Sequence, residues 1–115
     1  MLEAQLCKAS REYVKAVKNT AVYKNYRIQL ERIKKEPELY EQVNEFRRRN
    51  YEIQNTSGVD DLFDKIDAFE REYEKFRENP IVDDFLRAEL ALCRMMQEID
   101  IMLTEELDFD MGSVC

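Results

Sequence analysis

The chain has no histidine and no tryptophan, and its 115 residues include only two glycines, two prolines and three cysteines. Each shortage closes off a kind of chemistry. Without histidine there is no side chain that titrates near neutrality unaided, and no Ser–His or Cys–His nucleophile pair. Gly58 and Gly112 stand alone and make no phosphate-cradling loop. Cysteines at 7, 93 and 115 supply neither a closed disulfide framework nor the closely spaced four-ligand set of a structural zinc site. No run approaches the roughly 20 apolar residues of a membrane-spanning helix. The start, Met1 to Lys8, lacks the basic-then-apolar pattern of a secretory signal. A cytoplasmic protein without catalytic residues, resident cofactor or metal is therefore expected, because an odd number of widely spaced thiols fits a reducing compartment.

What is present points to helices. The hydrophobic fraction is 44% and the charged fraction 37%, with almost no chain breakers between them. That balance favours long amphipathic helices in one domain. Leu2, Leu6, Ala9, Tyr13 and Ala16 step by four, three, four and three, so they share one helical face. Asn19-Thr20 interrupts the pattern, with Thr20 as a capping residue. Tyr23, Tyr26, Leu30 and Ile33 then resume it.

Lys35-Glu36-Pro37 marks the first firm boundary, since proline disfavours helix before it and suits the first turn after it. Leu39, Val43, Phe46, Asn50 and Ile53 follow on one face, up to a loop at Asn55 to Gly58. Leu62, Ile66, Phe69, Tyr73 and Phe76 predict one unbroken helix from Asp60 to Glu78. Asn79-Pro80 is the second firm boundary, again a cap followed by proline. The last helix runs from Pro80 to about Leu107, with Val82, Phe85, Leu86, Leu90, Cys93, Met96, Ile99, Leu103 and Leu107 on its apolar stripe and Leu92, Met95 and Met102 widening it. The expected architecture is all-α: an elongated bundle of four to five helices over residues 1–107, ending in a long helical hairpin, with a flexible acidic tail over 108–115.

A helix of 27 residues spans about 40 Å, whereas a compact domain of this size has a radius of gyration near 13–14 Å. Its apolar stripe is longer than one copy can cover, and a long apolar stripe left in water is unusual. A homo-oligomer follows, most simply a twofold dimer. The expected oligomer or partner interface comprises Leu62, Ile66, Phe69, Tyr73, Phe76, Phe85, Leu92, Met96, Ile99 and Leu103. Charge is graded along the chain. Residues 1–35 carry nine basic and three acidic side chains, residues 36–80 seven and thirteen, and residues 81–115 two and nine. A basic start and an acidic end attract one another, within or between chains. The net charge of −7 argues against DNA binding.

Candidate chemistry is sparse. The adjacent carboxylates Asp60-Asp61, Asp83-Asp84 and Glu105-Glu106 point about 100° apart on a helix, which suits helix-end charge better than acid–base work. Cys93 is expected in the packed stripe, and Cys7 beside the first one. Cys115 is open to oxidation or metal ligation, but one thiolate cannot hold an iron–sulfur cluster alone. Arg47, Arg48 and Arg49 beside Tyr51, together with Lys24 and Arg27 among Tyr13, Tyr23 and Tyr26, fit a single-stranded RNA surface. Arginines paired to acidic neighbours and tyrosines packed in the core fit the same residues. Asn50 either fixes helix register or marks the end of a buried stretch.

The order of these signals resembles a known family. Val17-x-x-Thr20-x-x-Tyr23-x-x-Tyr26 is followed by Glu36-Pro37-Glu38-Leu39, then Val43, Phe46 and Gln54, a short Gly58 loop, and Asn79-Pro80-Ile81-Val82 with Phe85-Leu86-Arg87-Ala88-Glu89. Across residues 10–107 this is similar to the bacterial YlbF/YmcA family, which includes YheA-type members. The resemblance implies an all-helical, oligomeric, non-enzymatic regulator of competence, sporulation and biofilm formation. It also implies association with RNase Y and a YaaT-like protein in mRNA processing. Some proteins of that complex carry iron–sulfur clusters through several cysteines, where this chain offers only Cys115 in a comparable position.

Overall fold

A computed structural model describes residues 1–56 and 59–108; the Gly58 loop and the tail bearing Gly112 and Cys115 lie outside the described residues. Six helices follow in order: α1 (Ala4–Lys18), α2 (Ala21–Lys34), α3 (Pro37–Thr56), α4 (Val59–Glu72), α5 (Glu74–Glu78) and α6 (Pro80–Glu106). Among the described residues the fold is all-α. The helix boundaries have local causes. Thr20 Oγ1 accepts the Tyr23 amide at 3.1 Å and donates to the Val17 carbonyl at 2.7 Å, closing α1 and opening α2. Pro37 begins α3 two residues after α2 ends. Asn79 is extended (φ −64°, ψ 123°), and its Oδ1 accepts the Ile81 amide at 2.9 Å, with Pro80 in the first position of α6. Asp108 adopts a left-handed conformation (φ 49°) just beyond α6.

The helix expected over 60–78 is two helices. Tyr73 sits at φ −100°, ψ 10°, between the α and β regions, although its amide still reaches the Phe69 carbonyl at 3.1 Å. The small bend gathers rings around Phe46 of α3. Phe46 stacks on Phe69 (centroids 5.0 Å apart), meets Tyr73 edge-on at 5.3 Å and lies 6.0 Å from Phe76. With this break and the separation of α1 from α2, the described residues form six helices where four to five were expected.

The chain divides into two compact units, and the division falls inside α2 and α6. One comprises residues 27–86, the other residues 1–26 and 87–115. In the 27–86 unit, Ile33, Val43, Val82 and Phe85 are fully covered, and Leu30 and Phe69 nearly so. Here the apolar stripes read from the sequence are the covered faces. Leu39, Val43, Phe46, Asn50 and Ile53 of α3 are all at least half-buried, as are Leu62, Ile66, Phe69, Tyr73 and Phe76. The Arg32–Asp84 ion pair (2.7 Å) joins α2 to α6. Both side chains are more than 40% exposed, so its contribution is at most about 1 kcal/mol.

The other unit is different. Among its described residues only Ala88 is buried. On α1 the positions half-covered are Cys7, Ser10 and Val17, while Leu2, Leu6, Ala9, Tyr13 and Ala16 are all exposed. On the second half of α6 the covered face is Ala88, Leu92, Met95 and Ile99, spaced four, three and four. Leu90, Cys93, Met96, Leu103 and Leu107 stay exposed. Cys93, expected in the packed stripe, is therefore at the surface, because the covered face of α6 is the one through Leu92 and Met95.

Two outcomes follow for urea unfolding. Phe85→Ala is expected to destabilise the protein by about 3–5 kcal/mol, the range for emptying a filled aromatic site. Thr20→Ala removes one cap and is expected to cost about 1 kcal/mol; equal small losses for both variants would contradict this account of the core.

Candidate functional site

The Arg47 to Arg49 run lies on α3, and consecutive helical residues point about 100° apart. The three guanidinium groups accordingly meet three different surroundings. Arg47 lies over the Phe85 ring at 5.0 Å and donates to Asn44 Oδ1 at 3.1 Å. Arg49 forms a two-pronged pair with Glu72, at 2.6 and 2.8 Å, and donates to the Tyr73 hydroxyl at 3.1 Å. It also lies over the Tyr73 and Phe69 rings at 5.3 and 5.7 Å. Planar fork geometry of this kind suits arginine and not lysine. The contact ties α3 to α4 at the edge of the aromatic cluster. Arg48 is the most open of the three, with Glu45 4.0 Å away.

The Arg49–Glu72 pair sets the local electrostatics. Hydrogen bonding from Arg49 holds the Glu72 carboxyl below its usual value of 4.5, and bonding to Glu72 and Tyr73 raises Arg49 further above its already high value. Two arginines of the run thus make contacts within the fold, and the third stands more open. Asn50 accepts a hydrogen bond from Gln54 of its own helix at 3.4 Å.

Of the residues expected at an interface, Phe69 and Phe85 are already covered within the chain. Tyr73 and Phe76 are half-buried against Phe46. The rings of Phe69, Tyr73 and Phe76 meet Phe46 of α3, and Tyr73 also meets the other two. Leu62, Ile66, Leu92 and Ile99 are half-buried, and Met96 and Leu103 are exposed. The expected set is divided between the two units, Leu62 to Phe85 in one and Leu92 to Leu103 in the other. The apolar face of α1, read from the sequence as a helical stripe but not counted among the interface residues, is uncovered, because periodicity does not distinguish a face packed by its own chain from one that is not.

A trough of about 550 Å³ is lined by Glu38, Glu41, Gln42, Asn44, Glu45 and Arg48, all from α3. A smaller one, of about 400 Å³, is lined by Ala4, Cys7, Lys8, Arg11, Glu12 and Lys15, all from α1 or its start. Residues of a single helix diverge from its axis, so neither trough converges polar groups on a common point as a small-molecule site does. Among the described residues, no three of His, Cys, Asp or Glu come together as a metal site. A cluster of the four-cysteine kind does not fit one copy of a chain with three cysteines. Cys7 is half-buried and Cys93 exposed, and Cys115 lies outside the described residues. No described helix is long and apolar enough to cross a membrane.

Fold and surface together define an all-helical protein with exposed apolar side chains on α1 and the second half of α6. Residues 7–108 match the protein family described as control of competence regulator ComK, YlbF/YmcA, and the chain belongs to that family of regulatory proteins. It is also similar to a UPF0342 protein of Caldicellulosiruptor bescii, 20% identical over 100 residues that cover 85% of this chain and 84% of the relative. A UPF0342 protein of Caldicellulosiruptor saccharolyticus is 21% identical over 99 residues, covering 84% and 82%. No solved structure matches the chain.

The depressed Glu72 carboxyl makes a prediction with a definite sign. Its stabilising effect is full above the ordinary glutamate range and is lost as pH falls through its lowered native value. Glu72→Gln is expected to show a shallower loss of stability on acidification, measured by urea unfolding between pH 6 and pH 3; parallel curves for both proteins would remove the pair from the account.

Proposed function

We propose that this protein is a non-catalytic helical adaptor that acts as a homo-oligomer and presents a surface to a regulatory or RNA-processing partner. The observation that carries the reading is the uncovered apolar surface of the unit formed by residues 1–26 and 87–115. α1 buries no side chain, yet Leu2, Leu6, Tyr13 and Val14 are apolar and exposed. The second half of α6 exposes Leu90, Met96, Ile101, Met102 and Leu103. Fully burying one such side chain is worth about 1.5–3 kcal/mol, so this surface favours association.

Membership in a family of competence regulators supports a regulatory role. The partner we propose is the RNase Y machinery, reached directly or through a YaaT-like protein, with the charged outer faces selecting it more than tightening it. The adaptor carries out no bond-making step and requires no cofactor.

The test has two parts. Sedimentation of the purified chain at micromolar concentration is expected to give a dimer or larger species. Affinity capture from the native host is expected to recover RNase Y or a YaaT-like protein, and repeated capture without either would overturn the proposed partner. Binding of single-stranded RNA at low salt that weakens steeply with added salt would replace the adaptor with direct RNA recognition.

A further inference from the structure

The unit formed by residues 1–26 and 87–115 exposes two apolar strips of matching length. One is Leu6, Ala9, Tyr13 and Ala16 of α1, with Leu2 just before the helix, every residue exposed. From Leu6 to Ala16 it runs about 15 Å. The other is Cys93, Met96 and Leu103 on a face of α6 beside its covered one, interrupted by Asp100 and followed by Leu107 just beyond the helix, all exposed. From Cys93 to Leu103 it runs about 15 Å.

The helices carrying the strips have opposite charge. α1 holds Lys8, Arg11, Lys15 and Lys18 against Glu12. Residues 87–106 of α6 hold Glu89, Glu98, Asp100, Glu105 and Glu106 against Arg87 and Arg94. Pairing α1 with a second α1, or α6 with a second α6, would set like charges side by side. Pairing α1 with α6 sets opposite ones together. The cationic row of α1 lies on a different face from its apolar stripe, so the charges select between pairings and do not bridge directly.

We infer that the two strips cover each other between two copies of this chain, α1 of one lying along residues 93–107 of its partner, with twofold symmetry repeating the contact. The inference rests on the homo-oligomer reading above and names the seam. A twofold axis requires such mutual complementarity, since each copy must offer both surfaces. Two seams also double the buried area, towards the roughly 1,200–2,000 Å² of a stable interface.

Sedimentation of the full chain tests it, with circular dichroism as the check on folding. Leu6→Glu with Tyr13→Glu is expected to weaken self-association at least about tenfold, and Met96→Lys with Leu103→Lys likewise. All four together are expected to recover much of the assembly, because Glu then faces Lys across both seams. The replaced side chains are exposed, so helix content is expected to hold.

A second measurement does not depend on those substitutions. A chain whose only thiol is Tyr13→Cys is mixed with one whose only thiol is Cys93, and a short bis-maleimide is expected to join unlike chains in preference to like ones. An oligomer unaffected by either pair of substitutions, or not restored by all four, overturns this seam and leaves the homo-oligomer reading standing. Preferential cross-linking of like chains does the same. A lone particle in the wild type overturns both, and binding of that particle to phosphatidylglycerol vesicles through Leu6 and Tyr13 would reassign α1 to a membrane surface.

Discussion

An amphipathic helix is stable in water only where something covers its apolar stripe, and that requirement organises this protein. In the 27–86 unit the cover is internal. Ile33 of α2, Val43 of α3, and Val82 and Phe85 of α6 are fully enclosed, while Phe46 collects three further rings at its edge. In the other unit only Ala88 is buried among the described residues. The difference lies not in how apolar the helices are but in whether a neighbour in the same chain stands against the apolar face.

Polar contacts at the core margin set geometry more than they add stability. The Arg49 fork on Glu72 and Tyr73 holds α3 and α4 in register at the aromatic cluster. The Arg32–Asp84 pair, half-exposed, is weak by the same measure. Their functional consequence is indirect: they consume charge that would otherwise face outward. A run of three arginines that looks like a polyanion site in one dimension becomes two structural groups and one open side chain in three.

Much of the fold was legible in advance because its signals are local. The Thr20 cap, the proline at 37 and the Asn79-Pro80 pair each end or begin a helix through groups within four residues, and each acts as read. The faces of α3 and α4 were legible too, since one uninterrupted apolar stripe had one covering core. The bend at Tyr73 was not, because no breaker residue announces it and the ring that Tyr73 meets, Phe46, is 27 positions away. Nor was the exposure of Cys93, since Leu92, one position before it, and Met95, two after, offer α6 an equally apolar face.

The sequence by itself determined the class, the helix boundaries and the absence of histidine chemistry, because composition, caps and periodicity act over a few residues. Only the tertiary structure decided which of several apolar faces is enclosed, which arginines are consumed by the fold, and that α1 keeps its apolar side in the open. Those outcomes depend on which helices meet, and periodicity records that a face is apolar without recording what covers it.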